Sequence, residues 1–596
     1  MPQIPNRLEE SEDSSPGLAP FKGSRFGRII AKSLVTNQSQ APSSAPKTQP
    51  SAFASRTTNS STTSPSAAYV KRSGSVEEAP SGGRFQGRGP WKVDIKYGSD
   101  QQEIIDCPSR IVVANAFAGT GKTTTAVGYA ARRPGSRVLY MPFGTTVQQQ
   151  AMNRFPPNTW CQTINSAAFG AASSALKEKL TQSFTPLLLR DEMNLRTNRQ
   201  AGLVLKLLSD FMTSADRELK PNHTKSIVEG TWRASGSEAS DALSTARLAW
   251  KRMTDASDKL PIPHDAMLKI WSLTKPKLDY DYIIFDEAQD TNAVTADIIS
   301  RQDHAVRLYI GDRHQSIYGF RGATNAMEAM SSDRNATQLS LSQTWRFGPK
   351  IAEVANLILG ELKGEKTPIV GMGLDGDWDK NACYTKLSRT NAQLFRDAAV
   401  RQGKGIHWAG RNGIAGYNVN RLTEAYNLFN GDECKDPMFR RFRSWGEVQA
   451  YAEEARDPEI KMLVGVVDEF RHDTPELVRS LISNQVADQD QAKVVFSTAH
   501  KAKGLDWNYV EIADDFKILA ETEGILAADA LGFVNDQELN LLYVAVTRAK
   551  TSLQVNKETR TWMGNLEKHR VDRNLAVQKM ERRREASRSF LQRQTG

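Results

Sequence analysis

Short apolar strands alternate with helical patterns through the middle of the chain. The runs RIVVA, RVLYM, YIIF and VRLYI, at 110–114, 137–141, 282–285 and 306–310, are each followed by a helical pattern or a polar turn. Short apolar strands separated by helices predict a parallel sheet that is covered on both faces. A second strand-rich series runs through 339–400 and resumes with KVVFS. The pattern therefore predicts an α/β fold with two successive sheet units.

Two stretches interrupt this alternation. Helical patterns such as AGLVLKLLSDFM dominate 171–275, and 411–490 is polar and favours helix. Before residue 91, Ser, Thr, Ala and Pro leave too little apolar surface to offset the entropy of ordering. The predicted segments are a disordered basic Ser/Pro-rich arm at 1–90, a first domain at 91–170 and 276–338, its helical insertion at 171–275, a second domain at 339–410 and 491–560, its reduced insertion at 411–490, and a basic tail at 561–596.

The chain has 596 residues and a formal net charge of +10. Residues 1–90 carry 11 lysines and arginines against 6 acidic residues, and 567–596 carry 9 against 4, so the rest is neutral. Basic arms of this kind bind phosphate backbones with a strong dependence on salt. The alternative is that both ends are solvated tails.

Several classes of protein are excluded. No run approaches the roughly 20 apolar residues of a membrane helix, and the first residues show no secretory pattern. The 4 cysteines lie far apart without a C-x-x-C pair, which argues against a disulfide scaffold, a zinc ribbon or an iron–sulfur cluster. We expect an intracellular protein: cytoplasmic and nucleoid-associated in a bacterial or phage setting, nuclear in a eukaryote.

The segment ANAFAGTGKTTT, at 114–125, is the strongest local motif. A glycine-rich loop between a strand and a helix surrounds phosphates with backbone N–H groups. Lys122 is then expected to reach the β- and γ-phosphates, and the Thr123 hydroxyl to bind Mg²⁺. The general pattern has glycine where this chain has Ala116. The segment predicts a nucleotide site.

Two further motifs follow strands of the same predicted sheet. In YDYIIFDEAQD the strand ends in two carboxylates, so Asp286 is predicted to hold Mg²⁺ and Glu287 to activate the attacking water. In IGDRHQSIYGFRGA, Gln315 is a candidate sensor of the γ-phosphate. Tyr318 and Phe320, with Arg321, suit base stacking and backbone contact, although core packing is the alternative for an aromatic pair.

Together these motifs resemble those of the UvrD/Rep-type superfamily 1A DNA helicases, and within them the F-box DNA helicase branch. The resemblance covers about 95–555, with no F-box pattern before Trp91. It implies two RecA-like P-loop domains in tandem. The motifs that occur in the family's order are NAFAGTGKT, DEAQD, GDRHQSIYGFRGA, LSQTWRFGPKIAEVAN, LSRTNAQLF, STAHKAKGLDWNYVEIADDF and NLLYVAVTRAK.

The resemblance implies roles for individual residues. Gln101 is expected to read the adenine edge, Trp345 to stack on adenine, and Arg346 and Arg548 to contact the γ-phosphate. The implied catalytic residues are Lys122, Asp286, Glu287, Gln315, Arg346 and Arg548, with Thr123 and Asp286 as metal ligands. The implied nucleotide-binding residues are Gln101, Ala118, Gly119, Thr120, Gly121, Lys122, Thr123, Thr124, Trp345, Gly504 and Asp506.

The implied DNA contacts are Phe143, Thr163, Ser166, Tyr318, Phe320, Arg321, Thr498, His500 and Lys503. The chain departs from the family pattern at several places. Thr145 and Asn165 stand where relatives often have lysine and histidine, so two charged contacts are lost. Asp506 replaces a ribose-contacting glutamate, and Thr124 replaces a positive residue near the base.

The implied function is an ATP-dependent 3′–5′ DNA helicase or single-stranded DNA translocase that uses ATP and Mg²⁺ in replication, recombination or repair. Two alternatives stay open: a translocase that strips recombinase filaments, and a non-hydrolysing DNA-binding scaffold. The expected partners are single strands and single/double-strand junctions, with recombinase filaments or replication proteins on the basic arms. We expect a monomer without a membrane association and without a nuclease domain.

Overall fold

The computed structural model describes residues 95–319, 322, 326–401, 405–410, 412–518, 535–568 and 578. The predicted arm at 1–90 and most of the predicted tail at 561–596 lie outside these residues. Strands and helices alternate through the described chain, as the apolar pattern predicts. In the part of the chain that the structure describes, no helix is both long and apolar enough to cross a bilayer.

The strands are β1 Ile111–Ala116, β2 Val138–Met141, β3 Thr159–Cys161, β4 Tyr282–Asp286, β5 Val306–Gly311, β6 Ala336–Leu341, β7 Gln343–Thr344, β8 Val370–Gly371, β9 Tyr384–Ser388, β10 Ile406–Trp408, β11 Val494–Thr498, β12 Trp507–Ile512 and β13 Ala549–Gln554. The helices are α1 Ser99–Asp106, α2 Lys122–Ala131, α3 Thr145–Arg154, α4 Ile164–Ala171, α5 Ser174–Glu178, α6 Pro186–Glu192, α7 Asn198–Thr213, α8 Lys225–Val228, α9 Gly236–Thr254, α10 His264–Leu273, α11 Ala293–Ser300, α12 Ala326–Ser331, α13 Pro349–Leu357, α14 Asn391–Ala399, α15 Val419–Asn430, α16 Trp445–Glu454, α17 Pro458–Phe470, α18 Thr474–Ser483, α19 Ala499–Ala502 and α20 Asp536–Val546.

The first lobe is the six-stranded sheet in the order β3-β2-β4-β5-β1-β6, with the helices that pack on it. Every strand pair in it is parallel. Buried valines and alanines fill β1, because helices cover both faces of the sheet. The carboxyl ends of β1, β4, β5 and β6 therefore meet along one edge, where an open α/β sheet binds its ligands.

The predicted boundary between the domains, at 338/339, is wrong by three residues. All of β6 pairs with β1, from Ile111 opposite Ala336 to Ala116 opposite Leu341. The apolar pattern of β6 matched a second strand series equally well, and only hydrogen bonding to β1 assigns it to the first sheet.

The second lobe is the five-stranded parallel sheet in the order β10-β11-β9-β12-β13, with α13 and α20 packed on it. Its core includes Val495 and Val510 from the sheet and Leu542 from α20. Phe117 and Ile317, from loops of the first lobe, are buried in the same cluster. The two lobes thus share a packed apolar boundary beside the edge of the first sheet.

Each lobe carries one helical insertion. The helix α7 packs its buried Leu207 and Phe211 against α9, which begins with a capping box between Ser235 and Glu238. Helices α15 to α18 form the second insertion. The insertions touch each other through polar contacts, among them the Asn198 amide on the Glu454 carboxylate at 3.2 Å. The predicted helical character of both insertions is confirmed.

Candidate active site

The phosphate loop runs from the end of β1 to the start of α2. Two of its glycines, Gly119 and Gly121, have left-handed φ values of +75° and +82°. A Cβ on Gly119 would lie 2.4 Å from the Thr344 hydroxyl, so a side chain is excluded there as well. Ala116 is the last residue of β1 and has ordinary strand geometry. The departure from glycine at 116 therefore does not disturb the loop.

The two carboxylates of the second motif end β4 as predicted. Asp286 is buried and accepts hydrogen bonds from the Tyr140 hydroxyl at 2.5 Å and from the Glu287 amide at 2.8 Å. Burial, and then the charge of Glu287, raises the pKa of Asp286 to about 6. Glu287 itself has a φ of +53°, a strained value that is found mainly at functional sites.

Positive charges surround Glu287. Burial works to raise the pKa of this carboxyl, but the charges of Lys122 and Lys503 outweigh it and lower the pKa to about 2. The Gln289 amide also donates a hydrogen bond to it at 2.5 Å. Glu287 is therefore ionised at neutral pH, as a carboxylate that accepts a proton from water must be.

Gln315 lies on a short 3₁₀ turn, Arg313–Gln315, after β5. The side chain is buried and its amide donates to the Asp312 carboxylate at 2.8 Å. The turn stands at the same sheet edge as the phosphate loop and Glu287.

The two arginines reach this edge from the side of the second lobe. Arg346 donates to the Thr547 carbonyl at 3.2 Å and lies 3.4 Å from the Asp506 carboxylate. Arg548 is only 2% exposed and donates to the Val544 and Leu505 carbonyls. Burial, and then the charge of Arg346, lowers the pKa of Arg548 to about 9. A bound polyanion would relieve this repulsion.

A cavity of about 460 Å³ opens where these groups meet. Its lining contains fourteen of the predicted residues. They are Gly119, Thr120, Gly121, Lys122, Thr123, Thr124, Phe143, Glu287, Gln315, Tyr318, Arg346, Lys503, Gly504 and Arg548. Asp290 and Arg154 line it too. The volume and the converging N–H groups and cations suit a nucleoside triphosphate.

The predicted base-binding residues lie beside the cavity. Trp345 is 63% exposed and shares a small hollow with Gln101 and Thr120. The Gln101 amide donates to the Thr120 carbonyl at 3.3 Å. Asp506 pairs with Arg346 and with Lys550, at 3.4 and 3.3 Å. The arrangement offers an indole face at the mouth of the phosphate site.

Comparisons with known proteins agree with this geometry. The model of the UvrD/REP helicase N-terminal domain matches residues 162–335, and that of the UvrD-like helicase C-terminal domain matches 443–559. The chain therefore carries matches to both the N- and C-terminal domains of UvrD-like helicases.

Several relatives are aligned over most of this chain or over a part of it. F-box DNA helicase 1 of Gallus gallus is 32% identical over 507 residues, which are 78% of this chain and 49% of the relative. F-box DNA helicase protein 1 of Schizosaccharomyces pombe is 28% identical over 507 residues, 77% of this chain and 57% of the relative. DNA helicase II of Escherichia coli is 30% identical over 162 residues, 25% and 21% of the two chains. The chain thus spans about half the length of the F-box helicases it matches.

Two of the predicted strand-contacting aromatics of this UvrD-like chain stack on each other. Phe143 is 50% exposed, and its ring lies 5.7 Å from that of Tyr318 with 8° between the planes. The Tyr318 hydroxyl approaches the His500 carbonyl at 3.5 Å. The predicted contacts Phe320 and Arg321 lie outside the described residues. The described pair presents an aromatic face at the lining of the cavity.

Three predicted DNA contacts lie at the starts of helices. Thr163 is buried and caps α4, because its hydroxyl accepts the Ser166 N–H at 3.1 Å. Ser166 in turn donates to the Thr163 carbonyl at 2.8 Å. Thr498 is buried at the start of α19. Thr163 thus caps α4, Thr498 precedes α19 without a capping hydrogen bond from its side chain, and the neighbouring Asn165 is exposed. The contacts of Thr163, Ser166 and Thr498 with DNA stay predictions.

Lys503, another predicted DNA contact, lines the cavity. Its ammonium pairs with the buried Asp290 carboxylate and donates to the Gln315 carbonyl at 2.9 Å. The motif that contains Lys503 did not indicate these partners, which only the tertiary contacts show. The contact of Lys503 with DNA stays a prediction.

Some residues of the site escaped the sequence reasoning. Asp290 and Tyr543 lie within quoted motifs, so their position was a usable signal. Tyr140, on β2, carried none. Arg154, at the end of α3, donates to the Thr124 hydroxyl at 3.2 Å. The Arg154 guanidinium thus supplies a positive charge beside Thr124, the position at which the family pattern has a positive residue.

Proposed function

We propose that this chain is an ATP-dependent DNA helicase that hydrolyses ATP between its two lobes and moves along single-stranded DNA. The observation that supports this most strongly is the shared cavity. The first lobe contributes Lys122 and Glu287, whereas Arg346 and Arg548 come from the side of the second lobe. ATP that binds both sets would hold the lobes together, and loss of the γ-phosphate would release them.

Each residue has a defined task in this proposal. Lys122 and the two arginines neutralise charge on the transferred phosphoryl group. Glu287, ionised by its cationic surroundings, accepts a proton from the attacking water, and Gln315 orients that water. Trp345 stacks on the base.

We further propose that Mg²⁺ accompanies the nucleotide. The Thr123 hydroxyl and the Asp286 carboxylate are the oxygen ligands that this ion prefers. In the structure, Asp286 is bonded to a hydroxyl and an amide and lies beside a second carboxylate, so a cation fits the local charge. The ion would supply charge neutralisation to the phosphates.

The DNA side of the proposal rests on the stacked Phe143 and Tyr318. Such faces accept any base, which suits movement along a strand without sequence preference. By family resemblance we propose 3′–5′ polarity, a monomeric motor, a nuclear or nucleoid-associated location, and work in replication, recombination or repair.

Strand-stimulated ATP turnover by the full chain tests the proposal. Lys122→Ala is expected to lower turnover by about 10²–10³-fold while single-strand binding persists. Lys461→Ala, which changes a lysine that is 60% exposed on the second insertion, serves as the control and is expected to keep wild-type turnover. Retained turnover in Lys122→Ala, or no strand stimulation in the wild type, would refute the ATP site or its coupling to DNA.

Tailed duplexes test the remaining points. Unwinding only from a 3′ tail supports the proposed polarity, and unwinding only from a 5′ tail would refute it. Clearance of a recombinase filament without duplex unwinding would replace the helicase assignment by filament stripping.

A further inference from the structure

The turn that carries Gln315 belongs to the first lobe by its place in the chain, and both lobes bond it. First-lobe groups accept from the Asp312 and Arg313 N–H groups and from the Ser316 hydroxyl. Each residue of 312–316 is also bonded to the second lobe. These contacts are the Tyr543 hydroxyl to Asp312, Glu365 to Arg313 and to His314, the Lys503 ammonium to the Gln315 carbonyl, and the Asn540 amide to the Ser316 carbonyl. The position of the turn therefore depends on the second lobe as well as on the first.

Tyr543 makes the most informative of these contacts, because its hydroxyl joins two parts of the site. It donates to Asp312 Oδ2 at 3.0 Å and accepts the Ala118 N–H of the phosphate loop at 3.2 Å. The same Oδ2 accepts the Gln315 side-chain amide at 2.8 Å. One hydroxyl of the second lobe therefore sets the distance between the phosphate loop and the γ-phosphate sensor.

The surroundings keep this hydroxyl in one state. Tyr543 is completely buried on α20, among core residues of the second lobe. Because the Ala118 N–H donates to the oxygen, the hydroxyl proton is directed to Asp312. Asn540 lies one helical turn earlier on α20 and donates to the Ser316 carbonyl at 2.9 Å. The helix α20 thus bonds both ends of the turn.

Glu365 holds the turn from the opposite side. Its carboxylate accepts from the Arg313 guanidinium at 3.1 Å and lies 2.8 Å from His314 Nε2. The His314 ring stacks parallel to Phe117 of the phosphate loop, with centroids 6.0 Å apart. The second lobe therefore restrains the sensor and the loop together.

We propose that Tyr543 is a positioning residue: its hydroxyl fixes Gln315 relative to the phosphate loop, so ATP hydrolysis depends on how the second lobe is seated. The inference rests on the proposed function and deepens it. The alternative is that Tyr543 is a core residue whose ring alone matters.

Tyr543→Phe distinguishes the positioning role from the core role, because it keeps the ring and removes the hydroxyl. Tyr451→Phe is a matched control: Tyr451 is also completely buried and donates to an aspartate, Asp457, at 3.0 Å, but in the second insertion. Both variants should fold, with similar melting temperatures. Tyr543→Phe is expected to lower strand-stimulated kcat about tenfold, the factor that about 1.4 kcal/mol of lost transition-state stabilisation gives. Because Gln315 acts in the transition state, KM for ATP should stay within about twofold.

Two outcomes would overturn the inference. One is a kcat of Tyr543→Phe within about twofold of the wild type. The other is an equal loss of kcat in Tyr451→Phe, which would make the effect a general consequence of a lost buried hydrogen bond.

A binding measurement keeps this inference separate from the proposed function. Dyes are placed at Gly135→Cys in the first lobe and at Gly564→Cys, in the helical segment 557–568 that packs on the second, in a Cys383→Ser background. An added Cβ meets no atom within 4 Å at either glycine, and Cys107, Cys161 and Cys434 are buried. Energy transfer between the dyes reports nucleotide binding.

The nucleotides are ADP with aluminium fluoride, as a transition-state analogue, and a non-hydrolysable ATP analogue. We expect Tyr543→Phe to weaken binding of the first about tenfold and of the second less than about twofold. Equal weakening of both would refute the positioning role. A wild type that binds both but turns over no ATP would refute the proposed function, while the ratio of the two affinities still decides the role of Tyr543.

Discussion

Lys503→Met tests the electrostatics at the centre of the site. Lys503 is 11% exposed and its ammonium pairs with the Asp290 carboxylate, whose side chain is 0% exposed. It also lies 3.9 Å from Glu287. Methionine keeps the apolar stem and removes the charge, so Asp290 is left buried without its cation.

Removal of one partner from a buried ion pair costs about 3–5 kcal/mol. At about 2–4 °C per kcal/mol for a domain of this size, the melting temperature should fall by about 6–20 °C at pH 8. Lys461→Met is the control, because Lys461 and its partner Glu453 are 60% and 69% exposed. A surface pair of this kind contributes about 0–1 kcal/mol.

The loss should depend on pH. Burial raises the pKa of Asp290 to about 6 even beside Lys503, and removal of that charge raises it further. When the pKa of a carboxyl is higher in the folded protein than in the unfolded one, the free energy of unfolding falls as the pH rises through the folded pKa. Below pH 6 Asp290 is protonated in both the wild type and Lys503→Met. The loss of unfolding free energy in Lys503→Met should then shrink toward about 1–2 kcal/mol, which is the contribution of the lost hydrogen bonds alone. In the wild type, Glu287 has a pKa of about 2 and stays ionised from pH 5 to 8. Lys503→Met raises the pKa of Glu287, because the charge of Lys503 is one of those that lower it, while Lys122 and Arg548 still lower it.

The assay is thermal unfolding at pH 5 and pH 8 of the wild type, Lys503→Met and the double variant Lys503→Met/Asp290→Asn. The double variant contains no uncompensated charge and should recover most of the loss at pH 8. A deficit that is the same at both pH values, or a double variant as unstable as the single one, would show that the Lys503–Asp290 pair is not the cause.

Two further substitutions test the nucleotide site. Trp345→Ala should raise KM for ATP about 5- to 150-fold with kcat little changed, since base stacking contributes about 1–3 kcal/mol. Trp160→Ala removes another exposed indole and should leave KM for ATP unchanged. An equal rise of KM in both variants would refute the stacking role of Trp345. Gly119→Ala should destabilise the protein by about 1–2 kcal/mol in thermal unfolding, because alanine at a φ of +75° is strained, and should lower kcat/KM at least about tenfold by displacing Thr344 and Arg346. Gly135→Ala, where a Cβ meets open space, is the control, and wild-type kcat/KM in Gly119→Ala would contradict the close approach.

The amino-acid sequence by itself determined the local parts of the site. An apolar run that ends in Asp286 and Glu287, and a glycine loop before Lys122, specify their geometry within a few residues, because strand period and loop conformation are short-range properties. The strands predicted at 282–285 and 306–310 therefore agree with β4 and β5 to within one residue.

Only the tertiary structure determined which residues far apart in the sequence contact each other. The hydroxyl of Tyr543 meets Asp312 across 231 positions of the chain, and Lys503 meets Asp290 across 213. No periodicity links such positions, because the pairing depends on how two lobes pack. The same holds for Thr163, since only the structure shows that its hydroxyl accepts the Ser166 N–H at the start of α4. Local chemistry was thus encoded in neighbouring residues, whereas the partner of each buried charge was selected by the packing of the lobes.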